Sequence, residues 1–215
     1  MMAVYDLEEQ EQISELKAWW AQYGNLVTTI AMAAALASVG WQGWQWYQSR
    51  NAAEAGALYF AVQQASQGQE AQKARDAAGR LIGDHPGTAY AQLAALVSAG
   101  AQFKAGDLDN AQAQLEWAAD KGKDPALSDL ARLRLAAVLL QKGELDAALA
   151  RFQVAPSAGY AARFADLRGD VFAAQGKAAE ARSAYQAAID ALGAAGEQAT
   201  TLREVVRVKL ESLEG

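Results

Sequence analysis

The residues able to do chemistry are few, and their spacing does not group them. His85 is the only histidine and stands beside Pro86 in the turn-forming run from Gly83 to Thr88, the wrong setting for a base that has to be held against a nucleophile. Paired carboxylates can share a proton or hold a cation, and two such pairs occur, Asp107/Asp109 and Glu144/Asp146. They recur at equivalent positions of a repeat described below, so they read as solvated residues opening helices, favoured there by the helix dipole. The chain has no cysteine, which excludes disulfides, thiolate metal sites, a cysteine nucleophile and a lipid anchor on cysteine. A phosphate-cradling glycine loop and a metal-ligand cluster are also missing from the sequence, so the expectation is a non-enzymatic protein without cofactors. The net charge of −6 is uneven: Asp6, Glu8, Glu9, Glu11 and Glu15 face only Lys17 in the first 17 residues. With no basic run or patch, nucleic acid is not expected as a partner.

The elements behind these residues are helical. Alanine is abundant and proline scarce, at three in 215 residues, which favours an all-α chain. Three segments superpose on their glycines: GDLDNAQAQLEWA from Gly106, GELDAALARFQVA from Gly143 and GKAAEARSAYQAA from Gly176. Each places alanine five residues on (Ala111, Ala148, Ala181), a large apolar residue four further (Leu115, Phe152, Tyr185) and alanine three beyond (Ala118, Ala155, Ala188). That is the second-helix half of a tetratricopeptide repeat. The glycine ends the first helix of each pair in a left-handed conformation, and the small alanine lets the second helix approach closely. In the preceding helices the matching positions are Ala99 and Gln102, Ala136 and Leu139, and Gly169 and Phe172; Gln102 fits poorly, and Phe103 beside it is expected to take its role. A degenerate fourth pair precedes these repeats, and Leu202, Val205, Val206, Lys209, Leu210 and Leu213 form a final capping helix.

Upstream lies an uncharged window from Ala18 to Ser49. Its centre, Asn25 to Tyr47, would span about 34 Å as a helix, enough for a hydrocarbon core of roughly 30 Å. Trp19, Trp20 and Tyr23 stand at one end and Trp41, Trp44, Trp46 and Tyr47 at the other, the two aromatic belts of an interface-anchored spanning helix. A buried core helix rarely runs uncharged for so long. A cleaved signal peptide has a small-x-small site available at Ala35-Leu36-Ala37, but the segment before the window is acidic, not basic. The expected organisation is a short acidic tail (1–22), a membrane anchor in contact with lipid (23–48) and a repeat domain (49–215). Lys17 and Arg50 balance each other, so charge does not orient the anchor.

In such a solenoid the first helices line the concave face. The register places Leu93, Leu96 and Phe103, then Leu130, Leu133 and Leu140, then Arg163, Asp166 and Asp170 along it, a candidate partner groove shifting from apolar to charged. Those leucines are equally placed to be interhelical core, or to be covered by the final helix.

The segments LKAWWAQYG (Leu16 to Gly24), PGTAYAQLAAL (Pro86 to Leu96) and ADLRGD (Ala165 to Asp170), in this order around one anchor and a repeat-type ending, resemble the YfgM family of tetratricopeptide-repeat ancillary subunits of the bacterial Sec translocon. The resemblance implies a single-pass protein of the bacterial inner membrane, with its N-terminus in the cytoplasm and its repeat domain in the periplasm. It also implies association with the SecYEG translocon and with a PpiD-like periplasmic chaperone, handling of exported polypeptides, and no catalytic residues. The alternative is a structural scaffold of another envelope complex that binds no client.

Overall fold

A computed structural model describes residues 3–193 and 200–213. These residues form nine α-helices and one short 3₁₀ turn and, among themselves, no strand: α1 (Ala3–Gln67), α2 (Ala71–Asp84), α3 (Ala89–Lys104), α4 (Leu108–Asp120), α5 (Pro125–Lys142), α6 (Leu145–Ala150), α7 (Ala161–Ala174), α8 (Ala178–Gly193) and α9 (Thr200–Glu211). The chain divides into two compact units, one ending at Asn51 and the other beginning at Ala52.

The first unit is helical, and of the described helices only α1 is long and apolar enough to cross a membrane. Its seven belt aromatics are all exposed, from Tyr23 at 41% to Trp41 at 67%, a surface that water would penalise and an interfacial lipid environment accepts. Several polar side chains inside the window bond locally. Thr28 donates to the carbonyls of Gly24 and Asn25, Thr29 donates to Asn25, and Gln42 donates to Ser38 Oγ, which spares an apolar surrounding an unpaired hydroxyl. Trp20 lies over Gly24, where an added Cβ would come within 3.1 Å of the indole; this contact accounts for the glycine in LKAWWAQYG.

The second unit stacks helices in pairs. The end of α1 pairs with α2, α3 with α4, α5 with α6 and α7 with α8, and α9 closes the end. Apolar clusters run through the stack, the smallest joining Ala65, Ala74 and Ala101, and three are larger. One joins Ala55 and Val62 of α1 to Leu81 of α2 and Ala91 of α3; the next runs from Leu96 through Leu115 and Leu135 to Val171; the last holds Tyr185, Leu192 and Val206. Ala111, Ala148 and Ala181 are all fully buried, so the second helices do approach through their alanines.

Gly106, Gly143 and Gly176 take φ of 79°, 77° and 73°. After each, the next residue's N–H bonds back to the carbonyl five residues earlier: Asp107 to Gln102, Glu144 to Leu139 and Lys177 to Phe172. This is the helix-ending turn expected of a left-handed glycine. The same turn occurs 37 residues before Gly106, where Glu70 bonds to Ala65 and the left-handed position is held by Gln69, at φ 58°. A side chain there costs about 1 kcal/mol. Gln69→Gly is therefore expected to stabilise the domain by about 1 kcal/mol, raising the melting temperature by about 2–4 °C, measurable by circular dichroism.

Several sequence expectations need correction. Phe152 and Ala155 do not lie in the second helix of their repeat, because α6 stops at Ala150 and Ala155 is exposed. Pro156 lacks the N–H that a continuing helix needs and would clash with the carbonyl four residues back. The chain that would have been helix is instead held by Asp129, only 3% exposed, which accepts from Ser157 N at 2.8 Å and Ser157 Oγ at 2.6 Å and is ion-paired with Arg132. Phe103 does not take the role of Gln102: Gln102 is itself buried and donates to Ala71 O at 2.5 Å, while Phe103 is 40% exposed. Val205, assigned to the packing face of the final helix, is 48% exposed.

Burial pushes the Asp129 carboxyl up, but the Ser157 and Arg132 hydrogen bonds outweigh it and hold the group below its ordinary value. A lowered folded-state value stabilises above the unfolded value of about 3.9, and the contribution is lost as pH falls through the folded value. The domain is thus expected to lose stability on acidification below about pH 4, and Asp129→Asn, less stable at neutral pH, to lose less over that range in urea melts.

Candidate partner-binding groove

The paired acids of the sequence are neither a proton-sharing site nor free. Asp107 caps α4, accepting from Asn110 N at 3.2 Å and Asn110 Nδ2 at 2.7 Å, and those bonds hold its carboxyl below the ordinary value. Asp109 accepts from Lys142 at 2.8 Å, and Asp146 accepts from Gln175 at 2.8 Å. Lys142 and Gln175 each precede a left-handed glycine, and Asp109 and Asp146 each lie three residues after one. The same bond thus ties the end of a first helix to the start of the second helix one repeat earlier. Lys142 also meets Glu144 at 2.9 Å. These carboxylates link neighbouring repeats at the surface.

The charged end of the expected groove is occupied. Lys209 of α9 reaches Asp166 at 2.8 Å and Asp170 at 2.9 Å, one turn apart on α7. Tyr185 Oη donates to Asp170 at 2.8 Å, and the Lys209 ammonium stands 5.8 Å from the Tyr185 ring centre. Burial works against the ammonium, yet the two carboxylates win and hold it above its ordinary value. Asp166 moves the opposite way in stability, since burial pushes its carboxyl up and outweighs Lys209. The gain at one partner is offset at the other, so the bridge fixes where α9 sits more than it strengthens the fold. Burial, reinforced by Asp170, also pushes the Tyr185 hydroxyl up. Arg163 remains exposed at this end.

The apolar end contains a groove of about 450 Å³ among the end of α1, α3, α4 and α5. Leu96, Val97, Gly100 and Phe103 form one wall, Arg134, Ala137 and Val138 the other, with Leu115 beneath and Lys104 at the edge. Of the residues expected from sequence, Leu96 and Phe103 line it. Leu93, Leu130, Leu133 and Leu140 do not; all four are half-buried, and Leu130 and Leu140 lie against the central apolar cluster. The wall on α5 is displaced by about 100°, one residue's turn of helix, from the expected register. Val97 and Arg134, and Gly100 and Ala137, are each 37 residues apart, the separation of Gly106 and Gly143. The expected pairs Leu93/Leu130, Leu96/Leu133 and Phe103/Leu140 share that spacing, so the repeat period alone does not tell the two faces apart.

The groove is concave, apolar-walled and open, suited to holding side chains of a polypeptide. The described residues contain no group of three His, Cys, Asp or Glu that could hold a metal ion.

Comparison with known proteins places this architecture. A family model described as a tetratricopeptide repeat-like domain matches residues 17–215. A Neisseria gonorrhoeae protein named ancillary SecYEG translocon subunit is 32% identical over 208 residues, covering 96% of this chain and 98% of the relative. Proteins of the same name from Haemophilus influenzae and Escherichia coli are each 30% identical, over 86% and 99% of this chain and 90% and 99% of theirs. With its repeat-glycine turns, its spanning-length helix and this similarity along nearly its whole length, the chain belongs to the tetratricopeptide repeat-like family of ancillary SecYEG translocon subunits.

Proposed function

We propose that the protein is a membrane-anchored, non-catalytic adaptor of the Sec translocon. Residues 1–22 stay in the cytoplasm, residues 23–48 span the inner membrane through lipid, and residues 49–215 work in the periplasm on exported polypeptides together with a PpiD-like chaperone. The observation that carries this reading is the near full-length similarity to proteins named ancillary SecYEG translocon subunit. Supporting it are the exposed aromatic belts around an uncharged helical window and the open apolar groove in a repeat domain.

Anchoring gives the reading its physical economy. A domain held beside the channel exit meets its partners at high effective concentration, so weak contacts suffice and no large interface is required. The test is affinity purification of the full-length protein from mildly solubilised membranes. SecYEG subunits are expected to co-purify, and to be reduced when residues 23–48 are exchanged for an unrelated spanning helix of the same length. Recovery without SecYEG, at full expression and membrane insertion, contradicts the reading. A protease added outside the inner membrane should digest the repeat domain and spare the tail; the reverse pattern refutes the orientation.

A further inference from the structure

We propose that the groove selects acidic-apolar stretches of polypeptide, those placing a carboxylate beside a bulky apolar side chain, over basic-apolar ones. The inference rests on the groove being the client site of the reading above and adds the chemical class it takes. Its walls are apolar, and the charged groups lining it are Lys104 and Arg134; no aspartate or glutamate lines it or the adjoining hollow formed by Ser66, Gln67, Gln69, Ala101, Lys104 and Ala105. Lys104, in the last turn of α3, forms no ion pair with any described residue. Arg134 is exposed, and its Nη1 donates to the Leu96 carbonyl at 3.3 Å, which pins the guanidinium against the groove wall. Two cations to which the described residues supply no carboxylate thus flank an apolar slot.

A segment that seats leucine or phenylalanine against Val97, Phe103 and Val138 brings its neighbouring side chains to these two groups. Carboxylates there gain charge-assisted hydrogen bonds, bidentate at arginine. Lysines there meet like charge and lose affinity.

The test titrates the full-length protein, in lipid nanodiscs, with three fluorescent peptides that share leucines and phenylalanines and differ in carrying aspartate, serine or lysine between them. The aspartate peptide is expected to bind about fivefold more tightly than the serine peptide, and the lysine peptide to bind weakest. Added salt should narrow the spread, and the double substitution Lys104→Glu with Arg134→Glu should invert the order. Gly100→Leu serves as the block, because a Cβ at Gly100 meets no protein atom within 4 Å and the side chain projects into the groove; it should abolish binding of all three. Equal affinities for the aspartate and lysine peptides, or an order unmoved by the charge reversal, overturn the inference while leaving the groove reading intact if Gly100→Leu still blocks. Binding that Gly100→Leu does not affect, or no binding of any peptide, overturns both.

Discussion

Gly169→Ala is expected to destabilise the repeat domain by about 2–3 kcal/mol. Gly169 is buried in α7 where α8 crosses it, and an added Cβ would stand 2.5 Å from Tyr185 Cδ1 and closer still to Cε1. The ring has nowhere to go. It is 3% exposed, its hydroxyl is bonded to Asp170, and Lys209 lies over it. A methyl at 169 therefore pries α7 from α8 and strains the bridge holding α9. Gly100 is the control within the same fold: also helical, with open space where its Cβ would be, it should gain about 0.5–1 kcal/mol as alanine, from helix propensity alone. Urea unfolding followed by circular dichroism measures both. Equal stability of the two variants would mean that the close α7–α8 approach is not a constraint.

A similar loss, about 3 kcal/mol, is expected for Gln92→Ala. Gln92 is 1% exposed and holds the α4–α5 connection through a single amide. Its Nε2 lies 2.9 Å from Ala118 O, 3.2 Å from Asp124 O and 3.0 Å from Ser128 Oγ, and its Oε1 accepts from Asp124 N at 3.1 Å. Removing the side chain leaves a cavity and strips partners from buried backbone groups, the costly half of a hydrogen bond. Gln92→Leu fills the volume without the bonds and should cost about 2 kcal/mol. The amide occupies the space in front of Gly122, where any Cβ would overlap it, so Gly122→Ala should reproduce part of the loss. Hydrogen exchange should quicken from Ala118 to Ser128 in Gln92→Ala; unchanged exchange there would show that the amide is not what orders the turn.

The parts of this fold that follow from local rules were legible in the sequence. A left-handed helix end wants glycine, so Gly106, Gly143 and Gly176 marked three helix pairs, and an uncharged, aromatic-flanked run marked the spanning-length helix. What depended on distant partners was not. Gln69 carries the same turn without the glycine. Gln102 read as a poor core residue because its carbonyl partner, at Ala71, lies in another helix, and nothing in the sequence singled out Gln92, whose partners at Ala118 and Asp124 lie 26 and 32 residues away. The shortness of α6 needed both Pro156, visible in the sequence, and the buried Asp129 that catches Ser157, which was not. The groove was misplaced on α5 because the repeat motif fixes the second helices, while one residue of drift in a first helix turns its wall by about 100°. Of the expected apolar-to-charged gradient, four leucines face away from the groove, and Lys209 of the final helix occupies the charged end.

The central claim is that this repeat domain works beside the Sec translocon, and in-cell photocrosslinking tests it most directly. Photoreactive residues in place of Trp44, at the belt that follows the apolar run, and of Phe103, at the groove edge, would be activated in living cells and the captured proteins identified by mass spectrometry. The account predicts SecYEG subunits among the products from Trp44 and exported chains among those from Phe103. Efficient crosslinking at both positions that captures neither would contradict it.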